Sequence, residues 1–409
     1  MASLSLGLKD ALRLTLETVR PLPQETIPLL ESLGRVAAQD LLATVDSPSQ
    51  STSRKDGYAV LSHEVAHATA QSPVRLKLAG SMAAGDQEVL TVKPGTTVRV
   101  LTGARIPSGA DAVVSEEFTR RDEGEVVIET FADTAKNILR AGGDVARGKL
   151  ILEAGQSISP VMAGLLAAAG HDRIPVYALP RVGILGTGNE IVLPGNPLKQ
   201  GELYASNIVT LAGFCRQYGM QTSLSIVGDT HDAMLEAMRK MHQETEVMIT
   251  SGGAWRGDHD IVAQVLGELG WKKVFHRIRI GPGKAVGFGL LEQKPVFILP
   301  GGPPSNLMGF LQIALPGILA LSGHANPGLP RVNAQLAQDI VDGDKEWTDF
   351  FQGTLSLADD LPLFHPLPKR SRLKALARAT AVAAIPEGRD SLEQGEVVSV
   401  QLLSGGLGA

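Results

Sequence analysis

Between residues 181 and 320 the chain alternates short apolar, β-branched runs with longer stretches of helical periodicity, and this rhythm constrains the fold more than any other feature. The runs fall at 181–185, 222–227, 247–250 and 295–299, and the helical stretches at 207–218, 232–241, 261–269 and 307–321. Strands separated by helices of this length predict parallel βαβ winding with helices on both faces of the sheet. A ligand crevice then lies at the carboxyl ends of the strands. Three glycine-rich turns follow strands there: Gly186-Thr187-Gly188-Asn189-Glu190, Ser251-Gly252-Gly253 and Pro300-Gly301-Gly302-Pro303.

Glycines after a strand admit positive φ and close backbone approach, so successive N–H groups can face an anion. One such turn is as readily a plain tight turn; three on one sheet edge point to a phosphate- or oxyanion-binding site. Neither the Gly-x-x-x-x-Gly-Lys-Ser/Thr spacing of a nucleotide loop nor a Gly-x-Gly-x-x-Gly spacing after a strand is present. Acidic residues sit on these turns or other loops: Asp56, Asp144, Glu190, Asp229, Asp258 and Asp260. Carboxylates beside a phosphate site commonly hold a divalent cation that offsets phosphate charge. Asp229 and Asp258 equally suit helix N-caps, whereas Asp56 and Glu190 have no such role. Lys284, in Gly281-Pro282-Gly283-Lys284, reads equally as a point charge that reaches a phosphate and as an ordinary surface lysine.

The rest of the chain has a different texture. Leu8, Ala11, Leu12, Leu16 and Val19 predict an amphipathic helix ending before Pro21. A second apolar-periodic segment covers 24–43 with a break at Gly34, and 45–57 reads as a loop. Short strand signals at 74–78, 97–101, 112–116 and 125–129, punctuated by Gly and Pro, predict a small all-β unit. Ser159 and Pro160 open a helix over 159–169 that closes at Gly170, followed by a strand at 173–177. After a Gly- and Pro-rich stretch at 323–330, strand signals return over 331–402.

With 409 residues the chain is expected to be multidomain, and with 44% hydrophobic but only 4% aromatic residues its cores must be aliphatic. A net charge of −5 argues against a nucleic-acid binder, so the basic run Lys369, Arg370, Arg372, Lys374 and Arg378 reads as a solvated face. The single cysteine, Cys215, excludes an internal disulfide or a cysteine-cluster metal site and suits a reducing compartment, with the cytoplasm as the default. No secretory h-region is evident, and the apolar stretches, such as 161–169, are read as too short for a bilayer span, so no membrane role is expected. The nine histidines show no zinc-hydrolase spacing, and no nucleophile elbow occurs.

In order, the motifs resemble those of the molybdopterin molybdenumtransferase family, which includes bacterial MoeA and the E domain of gephyrin. The matching segments are Asp56-Gly57-Tyr58-Ala59, Thr102-Gly103-Ala104, Asn137-Ile138 with Arg140, Gly142 and Asp144, and Ser159-Pro160 through Gly170. They continue with Pro180-Arg181-Val182, Thr187-Gly188 with Glu190, Ser251-Gly252-Gly253 with Asp260, Pro282-Gly283-Lys284, and Leu299-Pro300-Gly301 with Pro303. The resemblance implies a helix over 1–23 packed on a molybdopterin-binding-type α/β domain at 179–329. It also implies a connecting domain at 24–50 and 145–178, a small β-domain at 51–144 and a C-terminal β-barrel at 330–409.

The implied chemistry is hydrolysis of adenylylated molybdopterin in the presence of molybdate, releasing AMP. Asp56, Glu190 and Asp260 would be catalytic and hold Mg²⁺. Thr102, Asp144, Thr187, Gly188, Asp229, Ser251, Gly252, Gly253, Lys284, Pro300, Gly301 and Gly302 would bind substrate. A homodimer is implied whose cleft combines the α/β domain of one chain with the β-domain and connecting domain of the other, as are partners among molybdoenzymes or cofactor-pathway proteins. The chain departs from the family pattern at Arg54-Lys55, Asn189, Gly281, Ala285, Ala254-Trp255-Arg256 and Gly302. An alternative reading of these departures is a non-catalytic paralogue that binds a pterin or nucleotide anion, or a protein partner, as a scaffold.

Overall fold

The computed structural model describes residues 6–253, 261–341, 343–368 and 372–403. Within 182–321 a six-stranded sheet has the order Thr222–Val227, Val182–Thr187, Val247–Ser251, Lys294–Leu299, Gly287–Leu291, Lys272–His276. The first four strands run parallel, as their spacing predicts. The last two, which the strand–helix rhythm does not include, run antiparallel and complete a parallel-rich sheet. Glu292 and Gln293 both take positive φ (45° and 71°), so Gly287–Leu291 returns to Lys294–Leu299 through a tight hairpin without a crossover helix.

Helices cover both faces. Ser206–Gln217, Leu8–Thr18 and the apolar helix beginning at Pro303 pack into one core around Leu211, Phe297 and Phe310. His231–Glu244 and Ile261–Glu268 pack into the other around Met238, Met248 and Val265. The helix beginning at Pro303 corrects the expectation about apolar length. Pro303–Leu321 is long and apolar enough to cross a bilayer, yet 83% of its apolar window is buried inside the protein, which marks a core helix.

Residues 24–43 form no α-helix. Gln24–Pro28 pairs antiparallel with Arg173–Tyr177, followed by a 3₁₀ turn at Leu29–Ser32. Leu41–Leu42 likewise pairs with Leu150–Leu152, so two segments distant in sequence close one small layer. In the Pro160–Ala168 helix the Ser159 hydroxyl accepts from the Met162 amide at 3.1 Å, as the Ser-Pro signal predicts. Between these segments lies a six-stranded sheet, Ala112–Ser115, Gly57–Val60, Thr96–Val100, Val74–Met82, Glu125–Ile128, Thr119–Asp122. Its alternating side chains feed a core on each face.

The C-terminal strands close a five-membered ring: Thr348–Ser356, Leu363–Pro366, Arg331–Leu336, Val397–Leu402, Ala381–Ile385 and back to Thr348–Ser356. Phe351 and Phe364 lie in its interior core. A helix, Arg372–Arg378, interrupts the ring where strand signals alone are expected. Ile280–Gly281, from the α/β domain, adds to the barrel by pairing parallel with Thr348 and Asp349.

Candidate active site

The parallel register sets Gly186 beside Ser251, Ser251 beside Leu299 and Thr187 beside Val227. Four strands therefore end level, and the three glycine turns leave the sheet side by side with Gly228-Asp229. Gly252 and Gly253 have φ of +107° and +73°. A Cβ on Gly252 would lie 2.6 Å from the Thr187 carbonyl oxygen and 2.8 Å from its hydroxyl, and one on Gly301 would lie 3.6 Å from the Gly252 Cα. Glycine is what permits this approach of the turns.

Not every turn amide is available to an anion. Those of Gly188 and Gly252 donate to the carbonyls of Val227 (3.2 Å) and Leu299 (3.0 Å). The amides of Gly253, Gly301 and Gly302 have no partner among the described residues. Thr187 is 5% exposed, and its buried hydroxyl has no hydrogen-bond partner among those residues. A buried hydroxyl left unpaired costs free energy unless something else satisfies it, so it marks this edge as a place for a polar ligand.

Two further side chains build the edge, and the glycine spacing alone points to neither. Asn306, 2% exposed, donates through Nδ2 to the Ser251 hydroxyl (3.0 Å) and the Pro300 carbonyl (2.9 Å). Asn207 donates to the Gly301 carbonyl at 2.8 Å and to the Ser251 hydroxyl at 3.4 Å. The signal in the sequence is a polar residue in the first turn of each helix that follows a glycine turn or strand. Asn189 ties the first turn to its neighbour by accepting from the Asp229 amide at 3.0 Å. Thr230, not Asp229, is the N-cap residue of His231–Glu244, which leaves the Asp229 carboxylate free of that role.

The exposed Glu190 carboxylate folds back over Gly188, so a Cβ at Gly188 would collide with it. Exposed Lys284 follows Gly283, whose φ of +127° and 3.2 Å clearance from the Ser305 carbonyl exclude a larger residue. Asp56 lies in the small β-domain, where its Oδ1 accepts from the Thr102 amide (2.7 Å) and hydroxyl (2.8 Å). These two donors hold its carboxyl below the usual carboxylate range, with a smaller attraction from Arg99. Thr102→Val, which removes the hydroxyl, is expected to move the Asp56 titration back toward the ordinary range. A carboxyl-carbon NMR titration that stays at the wild-type midpoint would contradict this cause.

The structure therefore gathers Thr187, Gly188, Glu190, Asp229, Ser251, Gly252, Gly253, Pro300, Gly301 and Gly302 at one sheet edge, and pairs Asp56 with Thr102 in another domain. No hydrogen bond among the described residues joins the two groups within one chain. Asp144, whose amide donates to the Ser47 carbonyl at 2.9 Å, belongs to neither group. Asp258, Asp260, Trp255 and Arg256 lie outside the described residues. Among the described residues no three His, Cys, Asp or Glu side chains group closely enough to hold a metal ion.

Comparison with known proteins covers nearly the whole chain. Residues 6–170 match the family model described as the MoeA N-terminal region (domain I and II), and residues 183–320 match the one described as a probable molybdopterin binding domain. The chain is 31% identical over 381 residues to molybdopterin molybdenumtransferase 2 of Mycobacterium tuberculosis, spanning 92% of this chain and 94% of that one. It is 32% identical over 383 residues to the molybdopterin molybdenumtransferase of Nostoc sp., spanning 92% and 88% respectively. Two solved structures of the molybdopterin biosynthesis MoeA protein from Pyrococcus horikoshii superpose on it. One has a TM-score of 0.81 at 32% identity, covering 98% of this chain and 99% of that one. The other has a TM-score of 0.83 at 26% identity, covering 97% and 99%.

Proposed function

The chain belongs to the molybdopterin molybdenumtransferase family, and from that premise we propose a site-level account of how it inserts molybdate into adenylylated molybdopterin with release of AMP. The observation that carries the account is the level edge of glycine turns, with three amides and the Thr187 hydroxyl beside them that have no partner among the described residues. Such an arrangement suits the diphosphate oxygens of an adenylylated substrate. Lys284 adds a point charge from the adjoining loop. Asp229, Ser251, Pro300 and the backbone of Gly188 and Gly252 shape the same floor, and Thr102 and Asp144 complete the ligand contacts from the small β-domain.

Release of AMP requires water to attack the adenylyl phosphorus while the bond to the bridging oxygen breaks, the leaving phosphate taking the electron pair. Glu190, exposed over the first turn, is placed to orient that water or take its proton. Asp56 is held ionised by Thr102, which suits it to charge stabilisation better than to proton abstraction. The donor set is made of hard carboxylate oxygens, which fits Mg²⁺, and Asp56 and Glu190, together with Asp260, would hold it. When bound, the ion supplies charge neutralisation for the diphosphate.

Because no hydrogen bond among the described residues joins the Asp56 pair to the glycine edge within one chain, we read the site as completed between two copies in a cytoplasmic homodimer. Transferase activity among the relatives does not favour the scaffold alternative. Purified protein given adenylylated molybdopterin, Mg²⁺ and molybdate is expected to release AMP in a molybdate-dependent way. Ligand binding without AMP release would overturn the enzyme reading.

A further inference from the structure

The helix carrying the third glycine turn contains an irregularity that the site chemistry does not use. Pro303–Gly309 is α-helical, Phe310–Ala314 is π-helical, and Leu315–Leu321 is α-helical again. A π turn is a rare conformation that recurs at functional places. All five of its residues are buried, and Gln312, 5% exposed, is the polar one among apolar neighbours. Gln312 Nε2 donates to Gln401 Oε1 at 2.6 Å, and Gln401 Nε2 donates back to Gln312 Oε1 at 3.1 Å. Gln401, 7% exposed, belongs to the barrel strand Val397–Leu402. The pair thus crosses the junction between the α/β domain and the barrel, where Phe350 and Val382 of the barrel enter the α/β core. Apolar side chains at that junction would provide burial without fixing a register; reciprocal amides are directional and satisfied in one arrangement.

The same junction holds Lys284. On one side the Lys284 loop rests on the helix that carries Gln312, because a Cβ on Gly283 would meet the Ser305 carbonyl at 3.2 Å and the Gly309 amide at 3.4 Å. On the other side Gly281 pairs with Asp349 of the barrel. That strand pairs with Ala381–Ile385, whose Val382 lies opposite Gln401. From Gln312 through Gln401, two barrel strands, Gly281 and the Lys284 loop, the connections return to the starting helix as a closed ring. We propose that the Gln312–Gln401 pair is a positioning device for Lys284, registering the barrel against the α/β domain so that the lysine is presented to the substrate's phosphate. The claim rests on the substrate role given to Lys284.

Gln312→Glu provides the test because its effect depends on pH. While protonated, the introduced carboxyl reproduces both bonds, donating through its hydroxyl and accepting through its carbonyl. Once ionised, it sets a carboxylate oxygen against Gln401 Oε1. Burial favours the neutral acid, so the variant behaves like the wild type at low pH and loses the register as pH rises through its raised midpoint. The protection of amides 278–286 against hydrogen exchange in full-length protein, taken relative to the intrinsic base-catalysed rate at each pH, is expected to fall over that rise. The KM for adenylylated molybdopterin in the AMP-release assay is expected to increase about tenfold with little change in kcat, the scale of removing one charge-assisted hydrogen bond. The wild type shows neither change, and the apolar double variant Gln312→Leu/Gln401→Leu shows faster exchange at every pH while remaining folded. If Lys284→Ala raises KM but exchange at 278–286 in both glutamine variants matches the wild type, the positioning claim fails alone. If Lys284→Ala leaves KM unchanged, the substrate role of Lys284 falls and takes the claim with it.

Discussion

Replacing Gly252 by alanine is expected to destabilise the α/β domain by about 2–6 kcal/mol, combining the strain of positive φ with overpacking. An L-residue held at φ of +107° is strained, and the new Cβ would lie 2.6 Å from the Thr187 carbonyl oxygen, a backbone atom that cannot swing aside. A loss of this size is a large fraction of the roughly 5–15 kcal/mol that holds a typical domain folded. Gly267→Ala is the matched control. Its site lies in the Ile261–Glu268 helix, where the added Cβ meets nothing within 4 Å among the described residues beyond its own helix backbone and chain neighbours, so it is expected to be neutral or to gain up to about 1 kcal/mol from helix propensity. Urea unfolding of the two variants checks the claim. Equal midpoints would show that the glycine turns are not packed as described.

The second large effect concerns turnover. Asp56→Ala and Glu190→Ala are each expected to lower AMP release by at least about 10²-fold, the usual scale for removing a positioned acid–base or charge-stabilising group. Both side chains are exposed and neither fills a core, so the thermal midpoints are expected to stay near the wild type. Undiminished turnover in both variants would remove the two carboxylates from the mechanism.

How much of this was legible in the sequence follows from the range of the interactions involved. The strand–helix alternation over 181–321 exposed the α/β domain because each element carries its own hydrophobic period. The Ser159-Pro160 start of a helix was equally local. The hairpin at Glu292-Gln293 was not readable, since neither residue is one of the usual positive-φ turn formers and only pairing with Lys294–Leu299 imposes the conformation. Gln24–Pro28 became a strand because its partner, Arg173–Tyr177, lies far along the chain.

For the site, glycine spacing located the edge but not the asparagines that brace it. Asn207 and Asn306 have roles only because Ser251, Pro300 and Gly301 come together in the folded sheet. Spacing also overcounts free amides, because the fate of the Gly188 and Gly252 N–H groups depends on the neighbouring strands. Glu190 and Asp56 stood out in sequence as loop carboxylates with no capping role. Their separation into different domains was already implied by the family resemblance; the fold adds that Asp56 is bound to Thr102 beside one sheet while Glu190 lies over the turn at the edge of another.

The division of the site between two domains, closed across two copies, is the central claim, and co-expression of Asp56→Ala with Glu190→Ala tests it most directly. The mixed dimer, isolated through two different affinity tags, would contain one site with both carboxylates and one with neither. A shared site predicts that this dimer recovers about half of the wild-type AMP release, while each single-variant homodimer remains nearly inactive. A mixed dimer as inactive as its parents would contradict the account, because it would mean that Asp56 and Glu190 serve the same chain.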